Sequence, residues 1–338
     1  MQADKNRLLK VILAFAAIYI IWGTTYLVIR VAVETIPPFF MAGSRFVVAG
    51  VLTFIFLRAR GVPSPQRRHW PAAVVIGGLL LAGGSGLVTW SEQTIPSGVA
   101  ALVIATVPLW TTLFDWLFYR GGTPSKRVIA GILLGFLGIA LLIGPGQFSG
   151  TAAFSWIALS VLLLSPILWS FGSLYSRQAR LPHSSFMATA MEMFAGGILL
   201  IIAGLLTGEA GRLDLAAIST TSWLSLLYLI FFGSMIAFTA YIWLLKTVSA
   251  SKVTTYGYVN PIIAVFLGGL ILNEPVTASM IAAMVIIVVA VFLITVRQRQ
   301  PSTPGQESNE QDRPPMAVVE RPPLSSVDPT GTAAPGPG

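Results

Sequence analysis

A chain of 338 residues that is 55% hydrophobic and only 10% charged, with a mean hydropathy of +0.79, has too little polar surface to cover a soluble globule of its size. It contains no cysteine, which excludes disulfides, thiolate metal sites, iron–sulfur clusters and cysteine nucleophiles. The net charge of +8 is spread as short basic flanks beside apolar runs rather than as one face with stacking aromatics, so nucleic acid is excluded as a partner.

Ten apolar runs can be marked, at residues 10–30, 38–57, 70–90, 98–118, 127–145, 154–174, 184–206, 223–243, 253–272 and 278–296. Each approaches the roughly 20 residues that cross a hydrocarbon core about 30 Å thick. None alternates apolar with polar residues, so the spans are helices, in which every backbone group is satisfied internally. The first run is too long for a signal-peptide core and reads as a retained span.

Span one carries Tyr19, Trp22 and Tyr26 on one helical face beside Gly23, Thr24 and Thr25. These aromatics form either a packing face or a cavity wall. Pro37-Pro38 opens span two, which places Arg45 about 10 Å along the helix at ~1.5 Å per residue. A charge at that depth faces protein or water, or snorkels to the headgroups. Span three holds Gly77-Gly78 and Gly83-Gly84-Ser85-Gly86, which permit close helix contact, and ends in Trp90-Ser91-Glu92-Gln93. The serine in that glycine run invites comparison with intramembrane proteases, but the two histidines, His69 and His183, lie in loops and cannot serve as its base.

Span four carries Thr106, Pro108, Thr111 and Thr112, and span nine answers with Tyr256, Tyr258, Asn260 and Pro261. A proline at mid-span frees a carbonyl, which a neighbouring hydroxyl can satisfy or which can line a polar cavity. Gly131-x-x-x-Gly135 in span five suits packing or a dimer seam, though the sequence sets no oligomeric state. Span six has Ser165-Pro166 and Trp169, span seven has Glu192 and span eight ends at Trp243. A carboxylate as deep as Glu192 can carry a proton, bind a cationic group or pair with Arg45. From Arg297 onward, Pro, Ser, Gly and acidic residues predict a disordered tail.

The runs repeat. Residues 94–143 align without a gap on 247–296, setting Thr94 on Thr247, Pro108 on Pro261 and Ala130 on Ala283, and the same offset sets Trp70 on Trp223 and Trp90 on Trp243. An offset six residues shorter sets Trp22 on Trp169, Phe39 on Phe186, Arg45 on Glu192 and Gly50 on Gly197. The expected architecture is therefore all-α integral membrane, with ten transmembrane helices in two inverted five-helix repeats: residues 1–146, residues 147–296, and the cytoplasmic tail 297–338. Five spans per half invert the second half, and such symmetry places a binding site between the halves. Sixteen basic residues fall before span one, after the even-numbered spans and after span ten, against Arg30 and Arg212 on the other side. That bias predicts both termini in the cytoplasm.

No phosphate-binding Gly-x-x-x-x-Gly-Lys-Ser/Thr loop and no histidine cluster occur, so ATP-driven transport, metal and cofactor are not expected.

Trp22-Gly23-Thr24, Arg45-Phe46, Pro108, Pro261 and Asn273-Glu274-Pro275 give the chain, over residues 8–296, a resemblance to the EamA-type carriers of the drug/metabolite transporter superfamily. The resemblance implies a central cavity lined mainly by spans one, three, four, six, eight and nine, and export or exchange of small metabolites. It departs from the family at the end of span four, where Arg120-Gly121-Gly122 stands in place of a glutamate matching Glu274. Glu274 itself reads as a loop or helix-capping residue. The expected function is a secondary transporter of the cytoplasmic membrane that exports amino acids or related compounds by alternating access, against the alternatives of a multidrug exporter or an uncoupled facilitator. An intramembrane enzyme is disfavoured. The substrate-binding residues expected are Trp22, Tyr26, Arg45, Trp90, Thr111, Trp169, Glu192, Trp243, Tyr256 and Asn260, with Glu192 as the proton carrier.

Overall fold

A computed structural model describes residues 2–118, 124–143, 155–248, 253 and 256–295. Arg120-Gly121-Gly122, Lys252 and the tail from Arg297 lie outside the described residues. Within them every regular element is helical.

In chain order, α1 is Gln2–Ala32, α2 Pro38–Ala59, α3 Arg67–Ser91, α4 Ser97–Phe118 and α5 Lys126–Ile143. They are followed by α6 Trp156–Ser176, α7 Ser185–Leu206, α8 over residues 220–247, α9 Tyr256–Ile271 and α10 Ala278–Thr295. Eight of these are long and apolar enough to cross a membrane. The two that stand outside that number are α5, whose 18 residues begin with Lys126 and Arg127, and α9, with 16 residues. Large apolar side chains such as Leu133 and Phe266, each 65% exposed, cover the outside, as expected of a surface solvated by lipid tails.

Two expected spans are not plain α-helices. In α3 the stretch Gly77–Gly86 is π-helical, and in α8 the stretch Leu229–Ile236 is too. The two overlap when the longer repeat offset is applied. Each π turn leaves carbonyls for outside donors: Ser165 Oγ donates to Gly84 O (2.6 Å) and Trp22 Nε1 to Gly233 O (3.1 Å). In addition, α4 is broken at Ala105–Thr106, and Pro108 stands in the first turn of the second piece rather than kinking one continuous helix. Pro166 and Pro261, by contrast, lie inside unbroken helices.

The longest interfaces run α2 along α7 and α5 along α10, while α1 packs on α8 and α9, and α6 on α3 and α4. Small residues make the first of these possible. A Cβ on Gly50 would lie 2.7 Å from Phe194 N and 2.8 Å from Ala190 O, and one on Gly43 would lie 3.0 Å from Gly197 O. One apolar core joins α3, α4, α6, α9 and α10 through residues such as Val88, Leu102, Leu162 and Ile287, and another joins α1, α2, α7 and α8 through Ile29, Phe46, Met193 and Leu229.

The helix starts divide into two kinds. Ser155, Ser184 and Ser219 cap α6, α7 and α8 with their own side chains, accepting from Ala158 N, Met187 N and Ser222 N. α2 and α4 instead begin after Pro37 and Pro96, which have no side chain to offer. Carboxylates from the second half of the chain supply the missing acceptors. Glu209 accepts from Phe39 N and Phe40 N (each 3.0 Å to Oε2), and Glu274 accepts from Ser97 N (2.8 Å), Ser97 Oγ (2.9 Å) and Gly98 N (3.3 Å). Asn273 makes the second cap possible: its left-handed backbone (φ 52°), which asparagine tolerates, turns the chain at the end of α9 so that Glu274 faces α4.

Gly268 leaves the space that this carboxylate fills, since a Cβ there would overlap Glu274 Oε2. Glu274→Ala is therefore expected to cost about 1–3 kcal/mol through two orphaned N–H groups, and Gly268→Ala to cost a comparable amount. Thermal unfolding of the purified protein in detergent reads both, and a melting point unchanged by Glu274→Ala would show the cap to be ornamental.

Candidate functional site

Trp22 sits where α1, α8 and α9 meet. Its indole N–H is held by Gly233 O, and its ring lies 5.1 Å from that of Tyr256, 5.2 Å from Tyr241 and 5.5 Å from Phe238. Tyr241 and Tyr256 meet edge to face at 6.0 Å. Below them Asn260, buried in α9, directs its amide nitrogen to the backbone carbonyls of Tyr19 and Tyr256, 3.3 Å from each. Three expected residues, Trp22, Tyr256 and Asn260, thus come together. Tyr241 and Phe238 complete the cluster although the sequence did not single them out, because their repeat mates are Val88 and Ser85 and the internal echo was blind to them.

Trp243 joins them on one small core of Ile18, Leu244 and Val253, against which Trp22, Tyr241 and Tyr256 also pack. The other expected residues are dispersed. Trp90 and Tyr26 pack on the core shared by α3, α4 and α6. Trp169 lies over Gly84, where a Cβ would come within 2.6 Å of its ring. Thr111 donates to Ser170 Oγ (3.0 Å), and Ser170 in turn reaches Pro166 O (2.7 Å) and Val107 O (3.1 Å), so this hydroxyl pair satisfies backbone around the break in α4. Glu192 is half-buried on α7, with its backbone carbonyl pressed against Gly77.

Arg45 neither snorkels nor meets Glu192. It is 3% exposed, its Nε donates to Ser234 Oγ (2.8 Å) in the π-helical part of α8, its guanidinium lies 4.8 Å from the Phe46 ring, and its Nη1 has no hydrogen-bond partner. A small crevice beside Ser234 is lined by Thr53, Thr189, Met193, Phe238 and Thr239.

The end of the bundle bearing the 92–96 and 272–277 connections holds a further acidic residue. Glu92, one residue past α3, is fully buried, and neither of its carboxylate oxygens has a hydrogen-bond partner. Arg30 Nη1 donates to the Glu92 backbone carbonyl, not to the carboxylate. Burial pushes the Glu92 carboxyl well above the ordinary carboxylate range; Glu274 adds to the push, while Arg30 and Arg45 pull it back. In the sequence Glu92 stands among loop acids; its burial comes from packing that no local pattern encodes.

The profile of the EamA-like transporter family matches residues 9–144 and again residues 156–296. A relative in Escherichia coli (strain K12), the "Uncharacterized inner membrane transporter YedA", is 44% identical over 292 residues, covering 86% of this chain and 92% of that protein. The "Uncharacterized transporter YvbV" of Bacillus subtilis (strain 168) is 27% identical over 300 residues, covering 88% and 96%. A solved crystal structure shares the fold with a TM-score of 0.59 at 22% identity, covering 85% of this chain and 96% of that one.

Proposed function

The chain belongs to the EamA-like transporter family, whose profile it matches twice, and from that premise we propose that this membrane transporter is a secondary carrier working by alternating access. Its substrates are amino acids or related small amphipathic metabolites, which it exports across the cytoplasmic membrane with both termini inside. One observation carries the reading: aromatic rings from both halves, Trp22 from α1 with Tyr241 and Tyr256 from α8 and α9, converge near the Asn260 amide. Flat apolar walls with few polar anchors suit a small ligand with one charged end.

Ten spans in two inverted halves remain the architecture we favour. In its support, α2 pairs with α7 and α5 with α10, each with its own repeat mate, and the α1 contacts with α8 and α9 mirror those of α6 with α3 and α4. Two packed arrangements related by exchange of the halves would open the Trp22 site to either side. The inner-membrane designation of the E. coli relative supports the compartment.

The test is uptake into everted vesicles or proteoliposomes of labelled amino acids, sugars and lipophilic cations, with and without an imposed pH gradient. Accumulation of one class that needs the gradient is the expected outcome. Trp22→Ala should raise the half-saturating concentration about tenfold, the equivalent of about 1.4 kcal/mol of lost ring contact. If nothing moves even by counterflow from preloaded vesicles, the carrier reading fails on that panel.

A further inference from the structure

Three carboxylates gather at one end of the bundle, and the fold treats them differently. Glu209 and Glu274 are each held by two backbone N–H groups at a helix start. Glu92 is as buried as Glu209, at 0% exposure, yet both its oxygens are bare. The charged and titratable groups around it are Tyr26 and Arg30 from α1, Arg45 from α2 and Glu274 from the 272–277 connection. None of them makes a hydrogen bond or an ion pair with its carboxylate, because Arg30 is engaged with the Glu92 carbonyl, Arg45 with Ser234, and Glu274 with α4. A carboxylate buried without a hydrogen-bond partner costs several kcal/mol. A neutral carboxylic acid bears the same burial at far smaller cost.

We propose that the Glu92 carboxyl is the proton-binding site of this protein, holding a proton while this end of the bundle is closed and releasing it to water when the end opens. The proposal rests on the carrier reading above and moves the coupling proton from Glu192 to Glu92. The step is an acid dissociation alone: the O–H bond of the carboxyl breaks, the proton goes to water, and the carboxylate left behind is solvated in the open end, within electrostatic reach of Arg30 and Arg45. Its sign follows. The closed form binds the proton more tightly than the open one, so acid favours closure, and the preference fades as pH rises through the value of the closed form.

Infrared spectroscopy of the full chain in lipid nanodiscs tests the site without any substrate. The expected result at neutral pH is a protonated-carboxyl C=O band, downshifted in heavy water, that is lost in Glu92→Gln and kept in Glu34→Gln, where an exposed acid is removed. Glu92→Asp, should Glu92→Gln fail to fold, is expected to move the band rather than abolish it. Absence of the band from the native protein overturns the proposal, and so does a band that survives Glu92→Gln and vanishes in Glu192→Gln. Its failure is separate from that of the carrier reading: transport of a substrate without a Glu92-dependent band removes only the proton site, whereas the band without transport of any substrate removes the carrier.

Discussion

Alanine at Gly77 is expected to destabilise the protein by about 1–3 kcal/mol, the range for forcing a methyl group into a filled interior. Here α3 and α7 touch through their backbones: a Cβ on Gly77 would lie 2.5 Å from Glu192 O and 2.8 Å from Gly196 N, and one on Gly196 would lie 2.7 Å from Gly77 O. Neither obstacle is a flexible side chain that can swing aside. The helices must separate, and the apolar contacts along α2, α3 and α7 loosen with them. Gly257→Ala is the control, since none of the described residues lies within 4 Å of a Cβ there, and it should change stability by less than about 0.5 kcal/mol. Unfolding of the two variants in detergent against the native protein measures the contrast. Equal stability of both would mean that α3 and α7 are not in backbone contact.

Arg45→Met is expected to separate stability from activity. A buried guanidinium with one satisfied nitrogen and a bare Nη1 is a poor stabiliser, and methionine of similar length removes its desolvation cost at the expense of one hydrogen bond to Ser234. The melting temperature should therefore hold or rise. Transport, by contrast, should fall at least tenfold if Arg45 supplies the cation opposite a substrate carboxylate, the loss of one charge-assisted contact being worth about 1.5–3 kcal/mol. A variant that melts higher and still transports normally would reduce Arg45 to a packing residue.

The sequence made the helices legible because lipid imposes length and apolarity on every span, and it carries an internal echo in rare residues such as Trp70 and Trp223. It also marked Trp22, Tyr256 and Asn260. It could not show the π-helical turns at Gly77–Gly86 and Leu229–Ile236, which shift the face on which later residues project and so defeat any regular helical wheel drawn through α3 or α8. Trp90 follows the first of those turns and lies apart from the Trp22 cluster, on the core shared by α3, α4 and α6. Arg45 was legible as a deep charge, but its partner Ser234 lies 189 positions away, in a stretch with no polarity pattern to betray it. Glu92 was hidden for the opposite reason: its neighbours in sequence look like an ordinary polar loop, and only packing removes them from water.

The borrowed caps of α2 and α4 have a consequence for how the protein is made. A ribosome completes residues 1–146 before Glu209 or Glu274 exists, so the nascent first half waits in the membrane with the Phe39, Phe40, Ser97 and Gly98 amides unclaimed. Its two helix starts become quiet only when the later chain arrives.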